Sequence, residues 1–410
     1  MHLWLFLRQI FRDMRSQKLR TLLTIFGIVW GTTAVILLLA FGQGLYRSQV
    51  KAMHGLGEYI VIMWGGKTAK TFQGLPKGRR IGLREEDTEL LRSQIKQIAY
   101  ISPERTRWNA AVSYGKKVFV VQVVGTNPEF ALLRSIVADR GGRFINHLDM
   151  ENKERAIFLG NDLKEDLFGE EEAIGKIVLV DRVPFTIVGV LKKKEQDSSY
   201  SGRDENKGFI PYTTYASMYP AKYLNNMVFK AESPHLTEYV KKRVYEVLGK
   251  KYKFDPEDDE ALSMWDTSEM EAFFNAFFGG FQLFLGILGA LTLIVGGIGV
   301  SNIMNVVVEE RTREIGIKMA LGAKKRFVLL QFIFETLVIT FIGGGIGFII
   351  SYGIIQVFPV FKAEEYVGTP EISVMVAVAV TCLLGLIGLF SGFFPARRAA
   401  NLNPVEALRP

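Results

Sequence analysis

Cysteine and histidine are nearly missing from this chain: Cys382 is the one cysteine, and His2, His54, His147 and His235 are the four histidines. A lone thiol excludes an internal disulfide, so any folded domain must be stabilised by its own core. No histidine has a partner at a metal-ligand or catalytic-triad spacing, and all four read as surface side chains. A phosphate-binding loop of the form G-x-x-x-x-G-K-[ST] is missing too. The nearest approach, Gly169…Gly175-Lys176-Ile177, has the wrong spacing and ends in isoleucine. The chain is therefore expected to have no ATPase site, no catalytic residues, no metal site and no bound cofactor of its own. The acidic run DPEDDE at 255–260 lacks the calcium-loop spacing and its glycine, and reads as a solvated loop.

What the sequence does have is long apolar runs. Residues 21–41, TLLTIFGIVWGTTAVILLLAF, carry no charge. A helix of that length is about 31 Å long, matching a hydrocarbon core of about 30 Å. Comparable runs occupy 276–306, 327–358 and 373–395. The first exceeds the apolar region of a signal peptide, about 7–15 residues, and no small-x-small cleavage site closes it, so it reads as an uncleaved anchor. Arg8, Arg12, Arg15, Lys18 and Arg20 precede it, against Asp13. Arg311, Arg313, Lys318, Lys324, Lys325 and Arg326 lie between the second and third runs, and Arg397, Arg398 and Arg409 follow the fourth. The loop between the third and fourth holds Lys362 with Glu364, Glu365 and Glu371. The positive-inside bias puts both termini and the 307–326 loop in the cytoplasm, and 46–270 outside. The net charge of +8 and pI of 9.3 are then explained by membrane lipid at the inner leaflet, and nucleic acid is not called for.

The expected fold class is a polytopic α-helical membrane protein of four transmembrane helices, with a large α+β extracytoplasmic domain between spans one and two. Residues 1–20 form a basic amphipathic elbow helix or a plain topology signal. Residues 21–45 hold the first span and a stalk, 46–270 the external domain, and 271–306 a second stalk and span. Then come the 307–326 cytoplasmic loop, a span at 327–358, a short external loop at 359–372, a span at 373–396 and a cytoplasmic tail at 397–410. Within the domain, 83–95 reads as a helix with acidic residues early. TRWNAAVSY and KVFVVQVVGT flank a Tyr114-Gly115-Lys116 turn as a strand pair. RAIFLGNDLKEDLF reads as strand then helix, with Asn161 or Asp162 as N-cap. KIVLVDRVPFTIVGVL reads as a second hairpin, and Ser233-Pro234 opens a further helix. This interleaving favours an α+β domain, with room for two lobes, over a sandwich.

Gly343-Gly344-Gly345 with Gly347, and Gly296-Gly297 with Gly299, sit inside spans and read as helix-packing positions. Glu335 is the carboxylate within the third span; it is either a functional group or a partner of nearby Lys325 and Arg326. The most informative segment is VVEERTREIGIKMALGAKKRF at 307–327. Ile315, Ile317 and Met319 alternate with charges at helical spacing, and Gly322 is placed to end the helix. A partner-docking helix and an interfacial topology helix both fit the pattern.

Four blocks of the sequence resemble the MacB-like, FtsX-type permease family of ABC transporters. They are MRSQKLRTLLTIFGIVWGTTAVI, VVGTNPEF…GRFI…AIFLGNDLKEDLFGEEEAIGKIVLVDRVPFTIVGVL, GGIGVSNIMNVVVEERTREIGIKMALGA and FPARRAANLNPVEALRP. The resemblance implies a MacB-like core domain at 46–270. It also implies that 307–323 is a coupling helix docking on an ATPase, through Glu309, Glu310, Arg311, Arg313, Glu314, Ile315, Gly316, Ile317, Lys318 and Met319. By the family pattern the permease is a homodimer or heterodimer in the cell inner membrane. A separate ABC ATPase subunit binds ATP and magnesium, and an adaptor protein and outer-membrane channel are further expected partners. The implied mechanism is mechanotransmission, in which ATP-driven motion reaches the external domain, for efflux of a drug, peptide or similar substrate. Alternatives within the family are lipoprotein release of the LolC/LolE type and FtsX-like regulatory signalling.

Overall fold

The computed structural model describes residues 18–196, 199–361, 368–403 and 407. The expected elbow helix over 1–20 therefore lies outside the described residues except for its last three. Lys362, Glu364, Glu365 and most of the tail beyond 403 lie outside them as well. The chain forms two units: Gln49–Phe274, and Met1–Ser48 with Asn275–Pro410.

The second unit is helical. Among the described residues, four helices are long and apolar enough to cross a membrane, lying within Lys18–His54, Thr267–Glu310, Lys325–Phe361 and Val374–Ala400. The first two run for 37 and 44 residues, about 55 and 66 Å. Both exceed the bilayer core, so their ends continue past it. Small residues set how closely these helices pack. A Cβ added to Gly296 would sit 2.9 Å from the carbonyl oxygen of Gly27, and one added to Gly347 would lie 2.8 Å from Cβ of Thr32. Gly343, Gly344 and Gly297 are similarly crowded, whereas a Cβ on Gly299 or Gly345 would meet no atom within 4 Å. Thr336, Thr340 and Ser351 return their hydroxyls to carbonyls one turn earlier, so that no span has to find them a polar partner.

The first unit is α+β, in two lobes. Its strands are β1 (Ile60–Gly65), β2 (Ile98–Tyr114), β3 (Lys117–Thr126), β4 (Ala156–Leu159), β5 (Ile177–Val180), β6 (Val183–Val190), β7 (Lys207–Pro211), β8 (Asn226–Ala231) and β9 (Leu262–Asp266). One lobe is the antiparallel sheet β2-β8-β1-β9. Helices Glu85–Gln94 and Thr237–Tyr252 connect its strands in the chain order βαββαβ, a split βαβ arrangement. Its core gathers Leu91, Ile101, Phe229, Val240, Val244 and Phe254. The other lobe is inserted between β2 and β8. There the pairing runs β2-β3-β7-β4-β6-β5 and returns from β5 to β2, closing the strands on themselves. Closure removes the exposed edges that an open sheet would offer. Val112, Val123, Ile157, Phe185 and Ile187 fill the interior.

Strand β2 serves both lobes. Ile98–Glu104 pairs with β8, and Arg105–Tyr114 pairs with β3. The register shifts between Arg107 and Ala110, a bulge just beyond the change of sheet, in the part paired with β3. Beside this crossing lies a buried ionic cluster. Arg134 Nη2 donates to both oxygens of Asp204, at 2.8 and 2.9 Å. Lys194 Nζ donates to Asp204 Oδ2 at 2.9 Å, and Lys207 Nζ stands 3.4 Å from Oδ1. Glu104, 1% exposed, accepts from Asn226 at 2.6 Å and from the Tyr200 hydroxyl. Burial alone would raise the Asp204 carboxyl, yet Arg134, Lys194 and Lys207 hold it well below the usual carboxylate range. Burial pushes Lys194 and Lys207 below the usual lysine range, and lifts the Tyr200 phenol well above its own.

Three local expectations need correcting. The helix Asn161–Phe168 is preceded by Gly160 at its N-cap, not by Asn161 or Asp162. A Cβ on Gly160 would lie 2.1 Å from the carbonyl oxygen of Glu205, so close backbone passage chose glycine over a side-chain cap. The acidic loop is not wholly solvated: Asp258 is 1% exposed and accepts from the amides of Ala69 and Lys70 at 2.8 and 3.0 Å. Finally, His147 and His235 are exposed, but His54 is half-buried between two glutamates, and His2 lies outside the described residues.

Candidate functional site

The segment 307–323 breaks into the end of one helix and a short second one. The long helix stops at Glu310, Arg311 leaves helical geometry at φ −95°, ψ 6°, and a new helix runs Thr312–Ala320. Leu321 caps it, and Gly322 follows at φ +96°. The Ala323 amide donates to Lys318 O and the Gly322 amide to Met319 O, both at 3.0 Å. These two bonds make a Schellman ending, and the left-handed backbone is why glycine stands at 322.

At 100° per residue the short helix has two unlike faces. Ile315, 4% exposed, and Gly316 point inward. Ile315 packs in one core with Val308, Val328, Phe332 and Ala399, with half-buried Met319 against it. Arg313, Glu314, Ile317, Ala320 and Leu321 are exposed and fall within about one third of the helix circumference. On that face Ile317 is 46% and Leu321 82% exposed. An aliphatic pair left in solvent beside an arginine and a glutamate has the composition of a partner surface.

The ten site residues named from the sequence thus separate. Glu309, Glu310, Arg313, Glu314 and Ile317 are exposed, and Lys318 is half-exposed and pairs with Glu314 at 3.0 Å. Glu309 is paired with Arg398 of the fourth long helix at 3.2 Å. Ile315, Gly316 and Met319 instead pack the helix onto its own unit. Arg311 also turns inward, standing 3.4 Å from the 7%-exposed carboxylate of Glu335. Glu335 thus has, among its partners, a cation from the break between the two helices. Leu321, absent from that set, is the most exposed apolar side chain of the segment.

The sequence comparisons bear on this geometry directly. Residues 21–247 match the model of the MacB-like periplasmic core domain, and residues 286–404 that of the FtsX-like permease C-terminal region. The chain is 31% identical over 406 residues to the macrolide export ATP-binding/permease protein MacB of Chromobacterium violaceum, covering 96% of this chain and 59% of that one. It is 27% identical over 405 residues to the protein of the same name from Bdellovibrio bacteriovorus, covering 98% and 61%. The chain thus spans about three fifths of the length of these curated relatives. Among solved structures, the periplasmic region of MacB from Actinobacillus actinomycetemcomitans aligns with 55% of this chain and 97% of its own at 15% identity and a TM-score of 0.43. The extracellular domain of the transporter YknZ from Gram-positive bacteria aligns with 50% and 99% at 17% identity and a TM-score of 0.41. With more than half of its length matching the first model, and the segment that carries the candidate site inside the second, the chain belongs to the MacB-like periplasmic core domain family, with an FtsX-like permease C-terminal region.

Proposed function

We propose that this protein is the permease of an ATP-driven exporter, and that a separate ATP-hydrolysing subunit seats on the helix Thr312–Ala320. The observation that carries the proposal is the two-faced build of that helix: one side anchored through Ile315, the other presenting Arg313, Glu314, Ile317 and Leu321 to solvent. A helix needed only to reverse the chain gains nothing from an exposed aliphatic pair. The family membership and the ATP-binding/permease names of the relatives support the same reading. ATP and magnesium belong to the partner, whose closure moves the docked helix. The two helices longer than the membrane carry the movement to the Gln49–Phe274 unit outside. The protein acts as a dimer in the inner membrane with both termini cytoplasmic, and an adaptor and outer-membrane channel receive the drug, peptide or similar substrate.

For such coupling to work, partner closure must bias a two-state equilibrium. Swinging it from 1:99 to 99:1 takes about 5.5 kcal/mol of differential binding. A docked face of a few side chains on each permease copy supplies energy of that order when an aliphatic anchor is buried beside a charge pair. The test is co-purification of the full chain with its ATPase from detergent. Wild type is expected to retain the ATPase, and Ile317→Glu or a Glu314→Lys, Arg313→Glu exchange to lose it while eluting as folded protein. Retention by all three would place the docking site elsewhere.

A further inference from the structure

His54 closes the last turn of the helix Lys18–His54, and Glu271 lies in the second turn of the helix Thr267–Glu310. The imidazole is held between two carboxylates. Its Nδ1 is 3.3 Å from Glu58 Oε1, and its Nε2 is 3.4 Å from Glu271 Oε2. The histidine side chain is 27% exposed and that of Glu271 only 14%. A neutral imidazole has one N–H and one lone pair. It can donate to one of these carboxylates but must then turn a lone pair on the other; only the imidazolium donates to both. Among the described residues, the neighbouring charged and titratable groups have partners of their own. Tyr59 donates its hydroxyl to Glu271 Oε1 at 3.1 Å, with its ring 6.4 Å from the imidazole. Lys230 stands 5.9 Å over that ring, and Lys51 pairs with Glu195 at 2.8 Å. Tyr59 also has a left-handed backbone, φ 54°, unfavourable for a tyrosine unless its surroundings hold it. The same glutamate that faces His54 holds it.

We propose that His54, Glu58 and Glu271 form a proton-operated clasp tying the end of the first long helix to the start of the second. Protonated, the imidazole bridges the two carboxylates and the helix ends are fastened together. Neutral, it can donate across only one of its two carboxylate contacts and sets a lone pair against the other, and the clasp loosens. Because only the imidazolium donates to both carboxylates, acidification around this unit closes the clasp and alkalinity opens it. The clasp does not depend on the chain being a permease; its bearing on an export cycle does.

The experiment is hydrogen exchange of the full chain in detergent without any ATPase, corrected for intrinsic exchange, at about pH 5.5 and pH 8. Amides in 50–56 and 267–273 are expected to be protected about threefold or more at the lower pH, the size of one net hydrogen bond. His54→Gln and Glu271→Gln are each expected to abolish that contrast while leaving protection of β1 and β9 unchanged. An equal contrast in His54→Gln, or none in wild type, overturns the clasp. Loss of protection in β1 and β9 in one variant would mark it as misfolded and leave the other to decide. Because no ATPase is present, this outcome is independent of the docking test.

Discussion

Three cations converge on the carboxylate of Asp204, deep in the lobe junction, and that arrangement governs how single residues there respond. Replacing Asp204 by asparagine leaves Arg134, Lys194 and Lys207 buried without the carboxylate they share. Breaking such a cluster from one side costs about 3–5 kcal/mol. The expected readout for Asp204→Asn is lost hydrogen-exchange protection in β2 and β7 of the full chain. The pH sign follows from the depressed carboxyl. Its contribution is fully present above the ordinary carboxylate range and is lost only as pH falls through the lower folded value. Unfolding of the Gln49–Phe274 unit, followed by tryptophan fluorescence, is therefore expected to show little Asp204-dependent loss between neutrality and about pH 4. A loss in that interval that Asp204→Asn removes would contradict the cluster geometry. In the helical unit Gly347 is the sensitive residue. Gly347→Val drives a branched side chain into Thr32 and Val29 O, and overpacking of that kind costs about 1–3 kcal/mol. A lower thermal aggregation midpoint in detergent is the expected result, with Gly345→Ala, which meets open space, as the neutral control.

Elements carry the docking argument. The helix Thr312–Ala320 has an anchoring face and an offered face, so substitutions on the two must behave differently. Ile315→Asp buries a charge among Val308, Val328 and Phe332 and is expected to destabilise the helical unit by several kcal/mol (about 3 or more). Leu321→Arg, on the offered face, is expected to leave thermal stability within about 0.5 kcal/mol of wild type and to reduce ATPase retention. If Leu321→Arg destabilises as Ile315→Asp does, the two faces have been misassigned. The sequence disclosed this element through its spacing: Ile315 and Met319 are one turn apart, and Gly322 marks the stop. It did not disclose which apolar residues face inward, because Ile315 and Ile317 are chemically alike and differ only in what packs on them. The strand pairs were legible from their turns, Tyr114-Gly115-Lys116 most plainly. The return of β5 onto β2 was not legible, because it joins strands more than sixty residues apart in sequence. The Gly160 cap was hidden for a related reason: what excludes a side chain there is the backbone of Glu205, forty-five positions away in the chain.

At the scale of the whole molecule, composition alone revealed four apolar runs and a large intervening domain, since runs of that length have no other stable setting than a bilayer. Substrate chemistry left no mark in composition, because such a site is a shape assembled from distant segments. In the proposed function, ATP bound by a partner at the Thr312–Ala320 helix changes the state of the Gln49–Phe274 unit. The direct measurement is hydrogen exchange of the reconstituted complex, with and without ATP, using an ATPase that binds but does not hydrolyse it. ATP is expected to change protection at 49–56 and 267–274, and Ile317→Glu to abolish the change. Unchanged exchange throughout 49–274, with ATP bound and the partner still seated on the helix, would contradict that function.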